Sequence, residues 1–307
     1  MTCELDNLNE LCKHALQYYE GEGVTLDYKE AFRLFSVAAE QKSQDAYVFL
    51  GIMYEEGKGV DVDFIAASKW YRLVAEAGDY IGQHALGMLY KNGKGVEEDD
   101  AEAAKWLTLS AKQGYRYAAY ELGMIYKFGL GLPQDFNEAF RNFTLAAEQD
   151  HAPAMTSLAL MYESGEGTPI DLLKAFDLYL QAALQGDVQA QTNLGTVYSE
   201  GQGVEKNLTE ALRWTRLAVS QNDDLALCNL GMYYENGEGV LQDYAEAAKW
   251  YRVAAAKGMP YAQFRLGLLY YDGTGVDEDE AEAVKWFWLA ADQGCEDAQS
   301  MLDQMEL

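Results

Sequence analysis

Small and apolar residues return along this chain at helical spacing, in two alternating sets. In residues 44–79, Ala46, Leu50, Gly51, Met53 and Tyr54 give a first helix one apolar face. Ala67, Trp70, Val74 and Ala75 do the same for a second helix, which Gly78 ends. Gly57 stands just past the first helix, where a left-handed residue closes a helix at little cost. Lys58 and Gly59 carry the chain around the turn, and Val60 plugs the hairpin. The period-two alternation of strands is absent throughout. The pattern predicts an all-α chain of helical hairpins.

The hairpin then repeats. Gly-x-Gly occurs at Gly21/Gly23, Gly57/Gly59, Gly93/Gly95, Gly129/Gly131, Gly165/Gly167, Gly201/Gly203, Gly237/Gly239 and Gly273/Gly275, spaced 36 residues every time. A tyrosine precedes each pair by three residues, from Tyr18 and Tyr54 to Tyr270. An alanine follows each first glycine by ten, from Ala31 and Ala67 to Ala283. An Asp or Asn column (Asp27, Asp63, Asp99, Asp135, Asp171, Asn207, Asp243, Asp279) is expected to cap the second helices. In six of the eight units a Glu three residues later completes a capping-box pattern. The units are 8–43, 44–79, 80–115, 116–151, 152–187, 188–223, 224–259 and 260–295, forming one repeat domain across 1–307. Residues 296–307 repeat only the first-helix pattern, through Ala298 and Leu302, and are expected to cap the stack with a polar face.

Composition narrows the class. With 49% hydrophobic and 24% charged residues the chain has apolar surface for a large core, and no apolar run approaches a membrane span. The start, Met-Thr-Cys-Glu-Leu-Asp, has neither the basic nor the apolar region of a secretory signal. Cys3, Cys12, Cys228 and Cys295 show no paired spacing and read as reduced thiols of a cytoplasmic protein. A net charge of −27 repels nucleic acid and anionic membranes. It either steers a basic protein partner or keeps a long repeat protein soluble.

The run Leu50-Gly51-x-x-Tyr54 followed by Ala67 and Trp70 resembles a tetratricopeptide repeat with a longer, glycine-containing turn. The 36-residue period, the Gly-x-Gly-Val turn and endings such as Ala254-Ala255-x-x-Gly258 look like the Sel-one-like repeat (SLR) family, over nearly the whole chain. That resemblance implies an α-solenoid, a right-handed superhelix of eight helix-turn-helix repeats with a C-terminal capping helix. It also implies a non-enzymatic adaptor, scaffold or regulator that binds a protein in a groove lined by the first helices. Members of the family act in signalling, protein quality control, envelope regulation and host interaction, and some neutralise toxic effectors as immunity proteins. Leu132-Pro133, Asn142, Ala159 and Thr168-Pro169 depart from the consensus and mark the middle of the array as irregular.

No chemistry stands out from the repeats. Gly-x-Gly follows a helix instead of a strand, at the negative end of the dipole, so it does not read as a phosphate loop. Glu97-Glu98-Asp99-Asp100 and Asp277-Glu278-Asp279-Glu280 lack the alternating ligands of a calcium loop. His14, His84 and His151 have no zinc spacing. No catalytic residue, metal or cofactor is singled out, and the expected protein is a monomer. A self-assembling structural protein and an enzyme remain as other classes.

Two units carry aromatic and basic residues on the expected groove face. They are Tyr117, Tyr120, Lys127 and Phe128 in the fourth, beside Arg116, and Tyr261, Phe264, Arg265 and Tyr271 in the eighth. Such residues either form binding hot spots or pack between neighbouring helices. Acidic groove positions (Glu55, Glu56, Glu163, Glu200, Glu235, Asp272) point to a ligand with basic residues among apolar ones. The tryptophan column, Trp70, Trp106, Trp214, Trp250 and Trp286, is assigned to the core.

Overall fold

The computed structural model describes residues 2–306, with side chains for 8–306, so the Cys3 thiol and Leu307 lie outside the described residues. Among these there are seventeen helices and no strand, an all-α solenoid of helical hairpins. Its two compact units are Met1–Ala154 with Glu166–Thr168, and Met155–Gly165 with Pro169–Leu307. In the first unit, α1 (Thr2–Glu20), α2 (Tyr28–Glu40), α3 (Gln44–Glu56), α4 (Phe64–Glu76), α5 (Tyr80–Asn92), α6 (Asp100–Lys112), α7 (Arg116–Phe128) and α8 (Phe136–Ala147) pack each on the next. Helix α9 (Ala152–Ser164) contains the division. In the second unit α10 (Leu172–Leu184), α11 (Val188–Glu200), α12 (Leu208–Ser220), α13 (Asp224–Asn236), α14 (Tyr244–Ala256), α15 (Pro260–Asp272), α16 (Glu280–Ala291) and α17 (Glu296–Gln304) do likewise.

Each hairpin is closed by backbone hydrogen bonds that the repeated columns supply. Gly57 ends α3 at φ 71°, its N–H bonded to the Met53 carbonyl. The N-cap Asp63 then accepts from Ala66 N through its carboxylate. Its own N–H donates to the Tyr54 carbonyl at 2.9 Å, and this bond from the cap residue to the tyrosine recurs in all eight repeats, with Asn207 the donor in the sixth. The expected capping box is therefore half formed. With the N-cap N–H already taken, the Glu three residues on turns instead to a cation one turn later. The pairs are Glu30–Arg33, Glu102–Lys105, Glu138–Arg141, Glu210–Arg213, Glu246–Lys249 and Glu282–Lys285.

The second glycine of the turn joins repeats. At Gly59 (φ 75°) any Cβ would run into the carbonyl of Tyr28, at the start of the previous repeat's second helix, so only glycine lets the turn sit there. The departures at Leu132-Pro133 and Thr168-Pro169 leave this turn unchanged, with Gly129, Gly131, Gly165 and Gly167 at φ 71°, 67°, 77° and 68°.

The core is built on a column adjacent to the tryptophans. Phe35, Tyr71, Leu107, Phe143, Tyr179, Thr215, Tyr251 and Phe287 are all essentially without solvent exposure. Opposite Tyr71, Phe143, Tyr251 and Phe287 the facing first helix has a glycine that makes room for the ring, while the first and fifth repeats have Ala15 and Ala159 in that column. A Cβ at Gly123 would lie 2.6 Å from Phe143, and one at Gly231 2.7 Å from Tyr251. Each buried ring contributes roughly 2 kcal/mol. Trp106 and Trp214 are buried, as expected of that column, while Trp70, Trp250 and Trp286 are half-buried between repeats.

Candidate functional site

Successive first helices meet in a regular register, and that register decides which of their side chains are free. Residues 30 apart face one another. Lys91 pairs with Glu121 at 2.5 Å, Tyr19 lies edge-on to Phe49 at 5.5 Å, and Arg265 binds Glu235 through two nitrogens. Residues 31 apart also meet, at the cap of the following first helix. The Cys12 thiol and Ser43 hydroxyl are 3.2 Å apart, and Thr156 and Thr192 donate to the cap carboxylates Asp187 and Asp223. His84 packs on Tyr115, and Tyr120 on His151, in the same relation.

Tyr120 therefore lies inside an inter-repeat contact, with its ring 5.9 Å from Phe143 and 4.9 Å from His151. Tyr117 is 40% exposed and belongs to a run of rings, Tyr80, His84, Tyr115, Tyr117 and His151, with neighbouring centroids 5.0–5.3 Å apart. Arg116 lies 5.0 Å over the Tyr117 ring and donates to the Gln149 carbonyl, which holds it in place. Lys127 pairs with Glu166 at 3.6 Å, and Phe128, at the helix end, is 57% exposed. Burial holds His84 below the usual imidazole range, with Glu121 opposing.

The eighth repeat divides in the same way. Phe264 packs against Phe287, centroids 6.0 Å apart, while Tyr261 and Tyr271 are 44% and 40% exposed. Arg265 is committed to Glu235, which is itself buried and accepts the Tyr251 hydroxyl at 2.6 Å. The structure thus brings Tyr117 and Arg116 together at an open surface, leaves Phe128, Tyr261 and Tyr271 exposed, and packs Tyr120 and Phe264 between helices.

The acidic positions serve the fold more than the sequence suggests. Wherever the core column holds a tyrosine, the first helix of the same repeat supplies a glutamate sixteen residues earlier. Tyr71 donates to Glu55 at 2.8 Å, Tyr179 to Glu163 at 2.7 Å and Tyr251 to Glu235. Burial, followed by the adjacent carboxylate, raises all three tyrosines well above the ordinary phenol range. Glu56 pairs with Lys58. Of the six acidic positions, Glu56, Glu200 and Asp272 are exposed. This pairing was legible in the sequence, because Tyr and Glu change together across the repeats while Phe and Thr appear without the glutamate.

Among the described residues no His, Cys, Asp and Glu cluster could hold a metal ion, and no helix is long and apolar enough to cross a membrane. Cys12 and Cys228 are buried free thiols, and burial pushes Cys228 up to about 12. The second unit also holds a cleft of 640 Å³ between α11 and α13, lined by Ser199, Asn229 and Met232 among others. Glu200, one of the acidic groove positions read from the sequence, lines it as well.

The Sel1 repeat model matches residues 10–43, 44–79, 81–115, 116–151, 152–187, 188–223, 224–259 and 260–295. Comparison with curated proteins returns no match. Among solved structures, the chain is similar to c5321, a protective antigen of uropathogenic Escherichia coli with an SLR fold. The two are 35% identical with a TM-score of 0.88 over 97% of this chain, which spans 64% of that one. It is also similar to a Sel1 repeat protein from Oxalobacter formigenes, 31% identical with a TM-score of 0.71, covering 99% of this chain and 91% of that one. The fold is typically a non-enzymatic scaffold, and no catalytic family is indicated.

Proposed function

The chain belongs to the Sel1 repeat family, whose members are protein-interaction modules, and from that premise we propose that it binds a protein partner through exposed rings on its first helices. The observation that carries this is the surface at the start of α7. There Tyr117, Tyr80 and the half-buried Tyr115 form one aromatic patch with Arg116 fixed across it. Rigid aromatic and guanidinium groups of this kind bury large area at little entropic cost and dominate binding energies. Tyr261 and Tyr271 are two further exposed rings on α15. Tyr120 and Phe264 pack against Phe143 and Phe287, and Lys127 and Arg265 pair with Glu166 and Glu235. The charge of −27 favours approach of a basic partner, and contact is made by the rings.

Affinity capture from native lysate at high salt tests this, comparing the wild type with Tyr117→Ala/Phe128→Ala and Tyr261→Ala/Tyr271→Ala. These rings are exposed, so both variants are expected to fold with unchanged helicity. One of them is expected to lose at least tenfold of a stoichiometric partner. Equal retention by both variants would exclude the two surfaces. A single tight partner favours a dedicated inhibitor, and several weaker ones an adaptor.

A further inference from the structure

The negative charge is divided unevenly between the two helices of a repeat. The second helices (α2, α4, α6, α8, α10, α12, α14 and α16) hold 13 of the 23 Lys and Arg residues but only 11 of the 50 Asp and Glu. Their net charge is therefore +2, and the remaining −29 belongs to the first helices, the turns and the ends. The exposed side of the second helices is the part of the surface that an acidic partner can approach.

Six of the cations there are already engaged by the Glu three residues earlier, as in Arg213–Glu210 and Lys249–Glu246. The next cation along the helix is the one that differs. It is Arg72 in the second repeat, Arg216 in the sixth and Arg252 in the seventh. One turn beyond Arg72 stands a carboxylate, Glu76, whereas one turn beyond Arg216 and Arg252 stand Ser220 and Ala256. Arg216 is exposed and makes no ion pair or hydrogen bond with any described residue. Arg252 is exposed too, and what holds it is the Tyr270 hydroxyl at 2.9 Å, a neutral group.

Apolar side chains lie beside these cations. Leu217 and Val253 directly follow the two arginines, and Leu289 takes the same place in α16, at 39%, 44% and 47% exposure. In α16 the position of the arginines is filled by Trp288, the one exposed tryptophan of the chain's six. The half-buried tryptophans set the three helices side by side. Trp250 of α14 packs on the cluster that holds Ala211 and Leu212 of α12, and Trp286 of α16 on the cluster that holds Ala247 and Tyr251 of α14. Arg216, Arg252 and Trp288 thus form one row, with Leu217, Val253 and Leu289 as the next. The surface stops at α10, which has Asp177 and Gln181 where α12 has Arg213 and Leu217.

Arginine and tryptophan among exposed aliphatic side chains are the usual anchors of an interface. A ligand that suits both rows carries carboxylates and apolar side chains on one segment. An anionic membrane is a poorer match, because its plane meets the field of the whole chain, while a short segment meets only charges within about 10 Å.

We propose that the exposed face of α12, α14 and α16 docks an acidic segment of a partner protein. Its carboxylates sit on Arg216 and Arg252, and its apolar side chains on Leu217, Val253, Trp288 and Leu289. This surface lies on the second helices, away from the rings proposed above, and takes a partner of opposite charge, so each reading can fail without the other.

The probe is a displayed library of short random peptides restricted to Asp, Glu, Leu, Phe, Ser and Gly. It is selected on the full-length wild type, and the winners are measured as free peptides by fluorescence anisotropy. They are expected to bind Arg216→Glu/Arg252→Glu and Trp288→Ala/Leu289→Ala at least tenfold more weakly, and Tyr117→Ala/Phe128→Ala as well as the wild type. Added salt should weaken binding to the wild type and leave the residual binding to the arginine variant nearly unchanged, and Arg216→Lys/Arg252→Lys should keep most of the affinity. Circular dichroism melts check that the variants fold. If Trp288→Ala/Leu289→Ala loses helicity, the two arginine variants and the salt dependence decide alone. No enriched peptide, or peptides indifferent to Arg216→Glu/Arg252→Glu, would overturn the proposal. Peptides that need Tyr117 and not Arg216 would overturn it while supporting the aromatic surface. Binding to phosphatidylserine vesicles that is lost in Arg216→Glu/Arg252→Glu, with no peptide enriched, would overturn it in favour of a lipid surface.

Discussion

Repeats six and seven stand next to one another with the same frame and different interiors. In the seventh, Tyr251 fills the space against Gly231, its hydroxyl donates to Glu235, and Arg265 of the following repeat closes on the same carboxylate. The phenol, the carboxylate and the guanidinium of that lock are all paired. In the sixth, Thr215 and Ser199 stand in place of the ring and carboxylate, and Asn229 stands in place of the arginine. Among the described residues no side chain pairs with that carboxamide. Both repeats keep the αL glycine at the end of the first helix (Gly201, Gly237) and the Asp or Asn cap on the second. The difference teaches that the frame stabilises a hairpin whatever its interior holds, so a repeat can give up its polar lock and remain in the array.

The largest effect is expected where the lock is complete. Tyr251→Ala removes a fully buried ring and leaves Glu235 and Arg265 with a void, and should cost about 4 kcal/mol in urea unfolding. Thr215→Ala in the sixth repeat should cost about 1 kcal/mol or less. Equal losses would mean that the two interiors matter alike and would break the contrast. Changes to the shared frame should instead be felt equally. Gly203→Ala and Gly239→Ala each place a methyl group at positive φ against the previous repeat, 2.5 Å from the Leu172 carbonyl and 3.0 Å from that of Leu208. About 2 kcal/mol is expected for each, read from the same unfolding curves.

The smallest effect concerns Cys228, beside the lock, where the sixth repeat has Thr192. Burial raises this thiol from 9.0 to about 12, with Arg265 opposing and Glu235 adding. The unfolded chain loses this proton first, so the contribution is whole below pH 9 and is lost as pH rises toward 12. Between pH 8 and 9.5 the melting temperature of the wild type should fall more steeply than that of Cys228→Ala, by an amount equivalent to about 1 kcal/mol. Parallel slopes would place Cys228 in a less buried setting than the one described.

Much of the fold was legible because the frame is local. Gly57, Asp63 and Tyr54 lie within ten residues of one another, and their bonds close one hairpin, so a column repeated eight times announces them. The half-formed capping box shows where local reading stopped. The Tyr54 carbonyl, nine residues back, takes the N–H that a capping glutamate would need. The most deeply buried column lies one residue beyond the tryptophan column, in which Trp106 and Trp214 are buried and Trp70, Trp250 and Trp286 half-buried. Trp70 is larger than Tyr71, but the hollow that buries a ring is made by Gly51 on the facing helix, and it lies under Tyr71.

The candidate surfaces depended more on tertiary contact. Tyr117 and Tyr120 look alike in a helical repeat, yet Tyr120 falls on the register that meets the next repeat's cap at His151, and Tyr117 remains 40% exposed. Glu235 looks like a groove acid until Arg265 and Tyr251 are seen on it. By itself the sequence determined the array, its hairpins, its glycine turns and its caps, since each depends on bonds within one short stretch of chain. The tertiary structure decided which face residues are spent and which are free. That depends on how one first helix is set against the next, a register of 30 and 31 residues that only the packed repeats define.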